Sequence, residues 1–200
     1  MEPVSLQYLT SDLSQKLLNE KNPTFVIAFE DVESSVHYEE NFVKNLLLTN
    51  AKTQIKSQKE SEKFWFDLAQ MAPVVKDTGN ESESIVVALK IGVKNMNVVE
   101  IMACCEKISE ETQIEIYAHG GFGHGLCEVY MNGRADFVKK AIQSIQACVN
   151  EVKGHVTIKH APFHIRKEIC VWSENIPTLF LMEAIKKKCD PNGILNEQRF

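Results

Sequence analysis

His119-Gly120-Gly121-Phe122-Gly123-His124 is the run whose residue types speak most directly of chemistry. Imidazoles at its two ends can bind a metal or move a proton near neutral pH. The glycines between them let the backbone turn sharply and approach a ligand closely. A metal site asks for more. The run itself holds no carboxylate, and a third histidine, His160, is followed by Ala161. Such a donor set is poor for a hard cation, and no metal is expected. His119 stands equally as a functional side chain or as a satisfied strand-end histidine. His124 reads as a solvated loop residue, and His160 and His164 as packing or surface. Trp65 and Trp172 read as core or interface anchors.

These residues must be held by regular elements. Pro3 to Asn19, with Leu6, Leu9, Leu13, Leu17 and Leu18, has helical spacing. Thr24 to Glu30 is a short apolar strand. Ser34 to Thr49 is a helix with Val36, Phe42, Val43, Leu46 and Leu47 toward the core. Thr53 to Gln58, led by Ile55, is read as a second strand, and Ser61 to Ala72 as a helix ended by Pro73. Lys76 to Ser84 holds no apolar residue and marks a subdomain boundary. Beyond it come strand Ile85–Ile91, a helix from Asn97 through Ile108, strand Gln113–His119, the glycine-rich connection and strand Leu126–Met131. A helix from Arg134 to Lys153 follows, with Phe137 among its inward residues and Gly154 closing it, and then strand His155–His160. Strand, helix, strand, strand, helix, strand is the split βαβ, ferredoxin-like order. The fold class is therefore α+β: ferredoxin-like units sharing an antiparallel sheet, with helices covering one face. The expected domain is single, residues 1–200, with a half unit at 1–80, a ferredoxin-like unit at 81–161 and a return segment at 162–200.

The return segment ends in a readable turn. Three lysines, Lys186 to Lys188, suit the negative end of a helix dipole. Asp190 before Pro191 stops that helix, and Gly193 is free to take positive φ. Ile194 and Leu195 are expected to be a buried apolar anchor.

Composition bounds the rest. A net charge of −5 and a pI of about 5.7 argue against nucleic acid or an acidic membrane as partner. No apolar run is long enough to span a membrane, and Met-Glu-Pro-Val-Ser does not resemble a secretory leader. None of the six cysteines forms a CxxC pair, and all are expected to be reduced in a cytoplasmic protein.

The chain resembles the C-terminal (cap or substrate) domain of FAD-linked oxidases related to glycolate oxidase and D-lactate dehydrogenase. Asp190, Pro191, Gly193, Ile194, Leu195, Asn196, Arg199 and Phe200 match the closing motif of that family, while Glu197 and Gln198 replace its Pro-Gly. The catalytic members carry His-x-Gly-Asp-Gly-Asn-x-His. Here His119, Gly121 and Gly123 match, whereas Phe122, His124 and Leu126 depart. A Gly-Glu-His-Gly motif is replaced by Lys159-His160-Ala161-Pro162. Gly154, Val156 to His160, Ala161-Pro162 and Val171-Trp172 are similar to the branch of the smaller FAD-linked glycolate oxidase subunit, over its C-terminal half.

The resemblance implies FAD as cofactor, held outside these 200 residues, because no GxGxxG or Walker motif is present. It implies His119 as the catalytic side chain. It also implies Gly121, Gly123, Asn196 and Arg199 as cofactor-binding positions facing a flavin-bearing domain or subunit. The expected function is the cap of an oxidase for a small 2-hydroxy acid, inactive alone and prone to self-associate. Two rivals stay open. One is a stand-alone ferredoxin-like binding or scaffold module that has lost the chemistry. The other is a metal-dependent hydrolase built on His119, His124 and His160.

Overall fold

The computed structural model describes residues 2–47, 51–73, 84–112, 114–172 and 178–195. Six strands form one sheet: β1 (Ser5–Leu9), β2 (Thr24–Ala28), β3 (Ser84–Gly92), β4 (Glu115–Gly121), β5 (Leu126–Arg134) and β6 (His155–His160). Their order is β2-β1-β4-β5-β3-β6, and every pairing is antiparallel. Strands β3 to β6 with two crossover helices, α4 (Val98–Thr112) and α5 (Ala135–Glu151), make the split βαβ unit read from the sequence. The β1–β2 pair extends that sheet beyond β4.

The covered face follows from side-chain periodicity. Ile85, Val87, Leu89 and Ile91 alternate along β3, and Cys127, Val129 and Met131 along β5, all toward the helices. From α5, Val138, Ala141, Ile142, Ile145 and Val149 return the matching helical stripe, each with no exposed surface. Truncating one of them, Ile145 for example, to alanine should cost about 2 to 5 kcal/mol. Phe137, expected inward, lies outside this stripe and is 40% exposed.

The first third differs from its sequence pattern. Ser5 to Leu9 is a strand, although Leu6 and Leu9 have helical spacing, because pairing with β2 on one side and β4 on the other overrides that local pattern. The helix, α1, starts only at Ser11 and ends at Leu18. Residues 51–57 form no strand. Glu60 instead accepts hydrogen bonds from the Ser57 amide at 2.8 Å and hydroxyl at 2.6 Å, a capping box that starts α3 (Gln58–Ala69) early. Helix α2 (Glu33–Leu46) forms as expected but buries no residue, and Phe42, Leu46 and Leu47 are exposed. Leu9, opposite His119 in register, joins Leu13, Phe64 and Leu68 in a small second core on the face away from α4 and α5.

Two smaller corrections concern helix ends. The left-handed residue after α5 is Lys153, with φ 56°, rather than Gly154. Gly154 is required for closeness instead: a Cβ there would stand 2.6 Å from Val93 Cγ1 and 2.8 Å from the Gly92 carbonyl. After α6 (Phe163–Glu168), helix α7 (Leu179–Cys189) closes on the Asp190 amide, which donates to the Lys186 carbonyl at 2.8 Å, while the Asp190 carboxylate accepts from the amides of Ile194 at 3.0 Å and Leu195 at 2.9 Å and so holds the turn that follows. The turn and the positive φ of Gly193 are as read. The apolar anchor is not, since Ile194 is 77% and Leu195 57% exposed.

Cys104 on α4 and Cys148 on α5 are joined as a disulfide, which corrects the expectation of six reduced thiols. Antiparallel packing of the two helices sets them side by side despite 44 residues of separation. The boundary expected at 76–84 lies, but for Ser84, outside the described residues.

Candidate functional site

The glycine-rich run is a tight hairpin. Strand β4 continues through Gly121, residues 122–125 turn, and the Gly125 amide closes the turn on the Gly121 carbonyl at 2.9 Å. Gly125 has φ +67°, and a Cβ there would lie 1.9 Å from the Val93 carbonyl oxygen, so only glycine fits. Phe122 turns back onto Tyr8 and Phe25 in edge-to-face contacts with centroids 6.5 and 5.3 Å apart. His124 accepts the Leu126 amide on Nδ1 at 3.1 Å, and its ring fills the space over Gly121. Gly123 has nothing within 4 Å of its would-be Cβ. Asn196 and Arg199 lie outside the described residues.

His119 belongs to the face away from α4 and α5. Its Nδ1 is 3.2 Å from Gln7 Oε1. Gln7 directs its amide nitrogen to Ser5 Oγ at 3.5 Å, which leaves Oε1 as the acceptor. The hydrogen is thereby assigned to Nδ1, and Nε2 is left as an acceptor. Among the described residues Nε2 makes no hydrogen bond. Burial first, then the positive charge of Lys159 and the neighbouring His124, push the imidazole pKa down to about 4. At neutral pH it is an uncharged base. Tyr130, with its ring 6.1 Å from that of His119, is held protonated, its pKa raised to about 12 by burial and by Glu128.

Cross-strand pairing extends this patch. His119 is opposite Glu128, Glu128 opposite Lys90, and Lys90 opposite Thr157. Lys159 is the extra residue of a bulge where β6 slips against Ala88 and Leu89. The bulge aims its ammonium at both oxygens of Glu128, at 3.0 and 3.1 Å. Glu128, Tyr130, Lys90 and Lys159 were not singled out from the sequence. The signal was present in β5, where Glu128, Tyr130 and Asn132 alternate with the core residues Cys127, Val129 and Met131. His160 ends β6 beside Ala88. Among the described residues no group of three or more His, Cys, Asp or Glu side chains is placed to hold a metal.

Residues 1–199 match the family model described as FAD linked oxidases, C-terminal domain. The chain belongs to this family. No curated protein matches it significantly. Membership in a family of FAD-linked oxidases implies association with FAD in the full enzyme.

A pyrophosphate needs converging amides or cations, and one hollow among the described residues does not supply them, being lined by Asp12, Gln15, Lys16, Ile114, Glu115 and Tyr117. Its two carboxylates oppose an anion, and its lysine sits 4.1 Å over the Tyr117 ring. What this FAD-linked oxidase C-terminal domain offers is a sheet face bearing a neutral imidazole. No helix among the described residues is long and apolar enough to cross a membrane.

Proposed function

We propose that the chain is the substrate-side cap of an FAD-linked oxidase acting on a small 2-hydroxy acid of the glycolate type, and that it is inactive alone. Flavin, held by a separate domain or subunit, supplies the redox chemistry. The cap supplies a wall that orients the hydroxy acid and a base for its hydroxyl proton. The carrying observation is His119: a neutral imidazole with Nδ1 engaged by Gln7 and Nε2 unpartnered among the described residues, on the face away from α4 and α5. In the same proposal residues 1–200 act as one unit, Gly123 is a point of close backbone approach, and Asn196 and Arg199 face the flavin-bearing partner. A cytoplasmic location and self-association through uncovered apolar surface belong to it too.

The test is reconstitution with the flavin-bearing polypeptide from the same source. Glycolate should reduce the flavin only when both parts are present. His119→Gln should slow that step by about 10² or more, as for loss of a general base. Equal rates with and without the chain would overturn the cap.

The scaffold alternative draws on one observation. Phe122, where catalytic relatives of the resembled type carry an aspartate, is committed to packing with Tyr8 and Phe25. Tight docking to the partner with no effect of His119→Gln on turnover would favour it.

A further inference from the structure

We infer that Gln7 is a positioning residue for His119: its amide oxygen, reaching past the side-chain-free Gly121, holds the imidazole as the Nδ1–H tautomer and leaves the Nε2 lone pair as the working atom. This rests on the cap reading and deepens it by naming what makes His119 a base at one particular nitrogen.

The register of β1 against β4 sets up the contact. His119 lies directly opposite Leu9, and Gly121 directly opposite Gln7. Residues two apart on a strand, and direct cross-strand partners, share a side of the sheet. Ser5, Gln7, Leu9, His119 and Gly121 therefore belong to one face. Leu9 has no exposed surface and no polar side-chain group to offer. A polar partner for His119 on β1 has to come from the diagonal, a reach that a long side chain covers, and Gln7 makes it at 3.2 Å. The diagonal passes Gly121. A Cβ there would lie 3.1 Å from Gln7 Nε2 and 2.4 Å from His124 Cε1. Glycine at this position leaves room for both the amide and the His124 ring.

The tautomer follows from counting donors. A carboxamide oxygen only accepts, so the ring nitrogen that faces it must carry hydrogen, and a neutral imidazole has one such hydrogen. Ser5 Oγ, 3.5 Å from Gln7 Nε2, takes the other end of the amide and opposes its rotation. Among the described residues no other group hydrogen-bonds the His119 ring. Without Gln7 the ring is free to revert to Nε2–H, the form a free histidine side chain favours.

The 200-residue chain is labelled with nitrogen-15 in its histidine rings, and the two ring nitrogens of each are read by long-range proton–nitrogen correlation at neutral pH. The His119 signals are assigned by their absence in His119→Gln. Hydrogen is expected on Nδ1, and Gln7→Leu should move it to Nε2. Gln7→Glu keeps an acceptor in place and serves if Gln7→Leu fails to fold. It should retain Nδ1–H and, by its charge, hold the ring protonated to higher pH. Hydrogen on Nε2 in the unaltered chain overturns the assignment, because the amide is then turned the other way. So does an Nδ1–H that survives Gln7→Leu, the result of a side chain that only packs. In the reconstituted oxidase Gln7→Leu should lower kcat by about tenfold, short of the full loss of a general base, with KM little changed. A His119→Gln loss of turnover beside a tautomer indifferent to Gln7→Leu removes Gln7 and leaves the cap standing. A Gln7-dependent tautomer in a chain whose His119→Gln variant turns over normally removes the base of the cap reading and keeps Gln7 as the group that sets the ring.

Discussion

Glu106, in the middle of α4, reaches the first turn of α1, where its Oε1 accepts both the amide and the hydroxyl of Ser11, each at 2.8 Å. One carboxylate thus satisfies an orphan N–H and sets a negative charge at the positive end of a helix. The preceding residue, Thr10, exchanges two hydrogen bonds of 3.1 Å between its hydroxyl and the Ala118 amide and carbonyl. The helical layer is thereby tied, through two consecutive residues, to the strand position next to His119. Glu106→Ala should destabilise the chain by about 1 to 3 kcal/mol, read as a lowered urea midpoint at constant m. An unchanged midpoint would mean that water caps α1 equally well.

The His119 imidazole makes stability depend on pH in a defined window. Its pKa is about 4 in the folded chain against roughly 6.5 when unfolded. The folded value is depressed, so the contribution is complete above about pH 6.5 and is lost as pH falls toward 4, where the unfolded chain takes up a proton that the folded one refuses. The loss is at most on the order of 3 kcal/mol. His119→Gln should flatten this part of the profile. Denaturation of both proteins at several pH values across the window checks it, and parallel profiles would refute the assignment of a buried neutral imidazole. The lowered carboxylates, Glu60, Glu168 and Asp190, begin to lose their contribution only below about pH 5 and so overlap just the acid edge of the window.

The split βαβ unit was legible because its signals are long and mutually consistent. Strand β3 is a near-continuous apolar run, β5 alternates cleanly, and α5 keeps one buried stripe over four turns. The first third was misread where short apolar spacings serve two structures. Leu6 and Leu9 suit a helix until strand pairing claims them, and Ile55 suits a strand until the Ser57–Glu60 box starts a helix three residues on. The site divided along similar lines. His119 announced itself by residue type. Its neighbours Glu128, Lys90 and Lys159 did not, because a row across a sheet is assembled from four separate strands and one bulge. The disulfide was hidden for the same reason, being a meeting of two helix faces with no local spacing to reveal it.

That disulfide should add measurably to stability. Cys104 and Cys148 close a loop spanning 44 residues, for which restriction of the unfolded chain is worth about 4 kcal/mol at most. The core beneath is complete without it, since α4 and α5 each pack their own buried row on the sheet. Cys148→Ser, or mild reduction, should lower the melting temperature by several degrees while leaving a cooperative transition. Cys105 and Cys127 should stay unmodified in the folded chain, because burial first raises both thiols, Cys127 to about 12. A melting temperature indifferent to reductant would show that the link adds nothing.

Asp190 and the two exposed residues after the turn make the last prediction, and they separate stability from docking. Its carboxylate receives Lys186 Nζ at 2.7 Å and the amides of Ile194 and Leu195, while Lys186 also reaches the Leu195 carbonyl. The Lys186 hydrogen bond first, then the Leu195 amide, hold the Asp190 pKa below the ordinary carboxylate range. The tie should therefore persist at neutral and mildly acidic pH and be lost only as pH falls through that lowered value. Asp190→Asn keeps one acceptor oxygen and loses the charge, so amide exchange at Ile194 and Leu195 should quicken while the core is unaffected. The side chains of Ile194 and Leu195 bury too little to matter for folding. Ile194→Ser with Leu195→Ser should leave the melting temperature unchanged. With Phe180 and Ile185 of α7, 64% and 63% exposed, they present apolar surface at the end of the chain. If the proposed flavin-bearing partner seats there, the same double variant should weaken its binding in a concentration-dependent pull-down. A fall of several degrees in the melting temperature would instead show that these two side chains are packed in solution, and would return the tail to a role in stability.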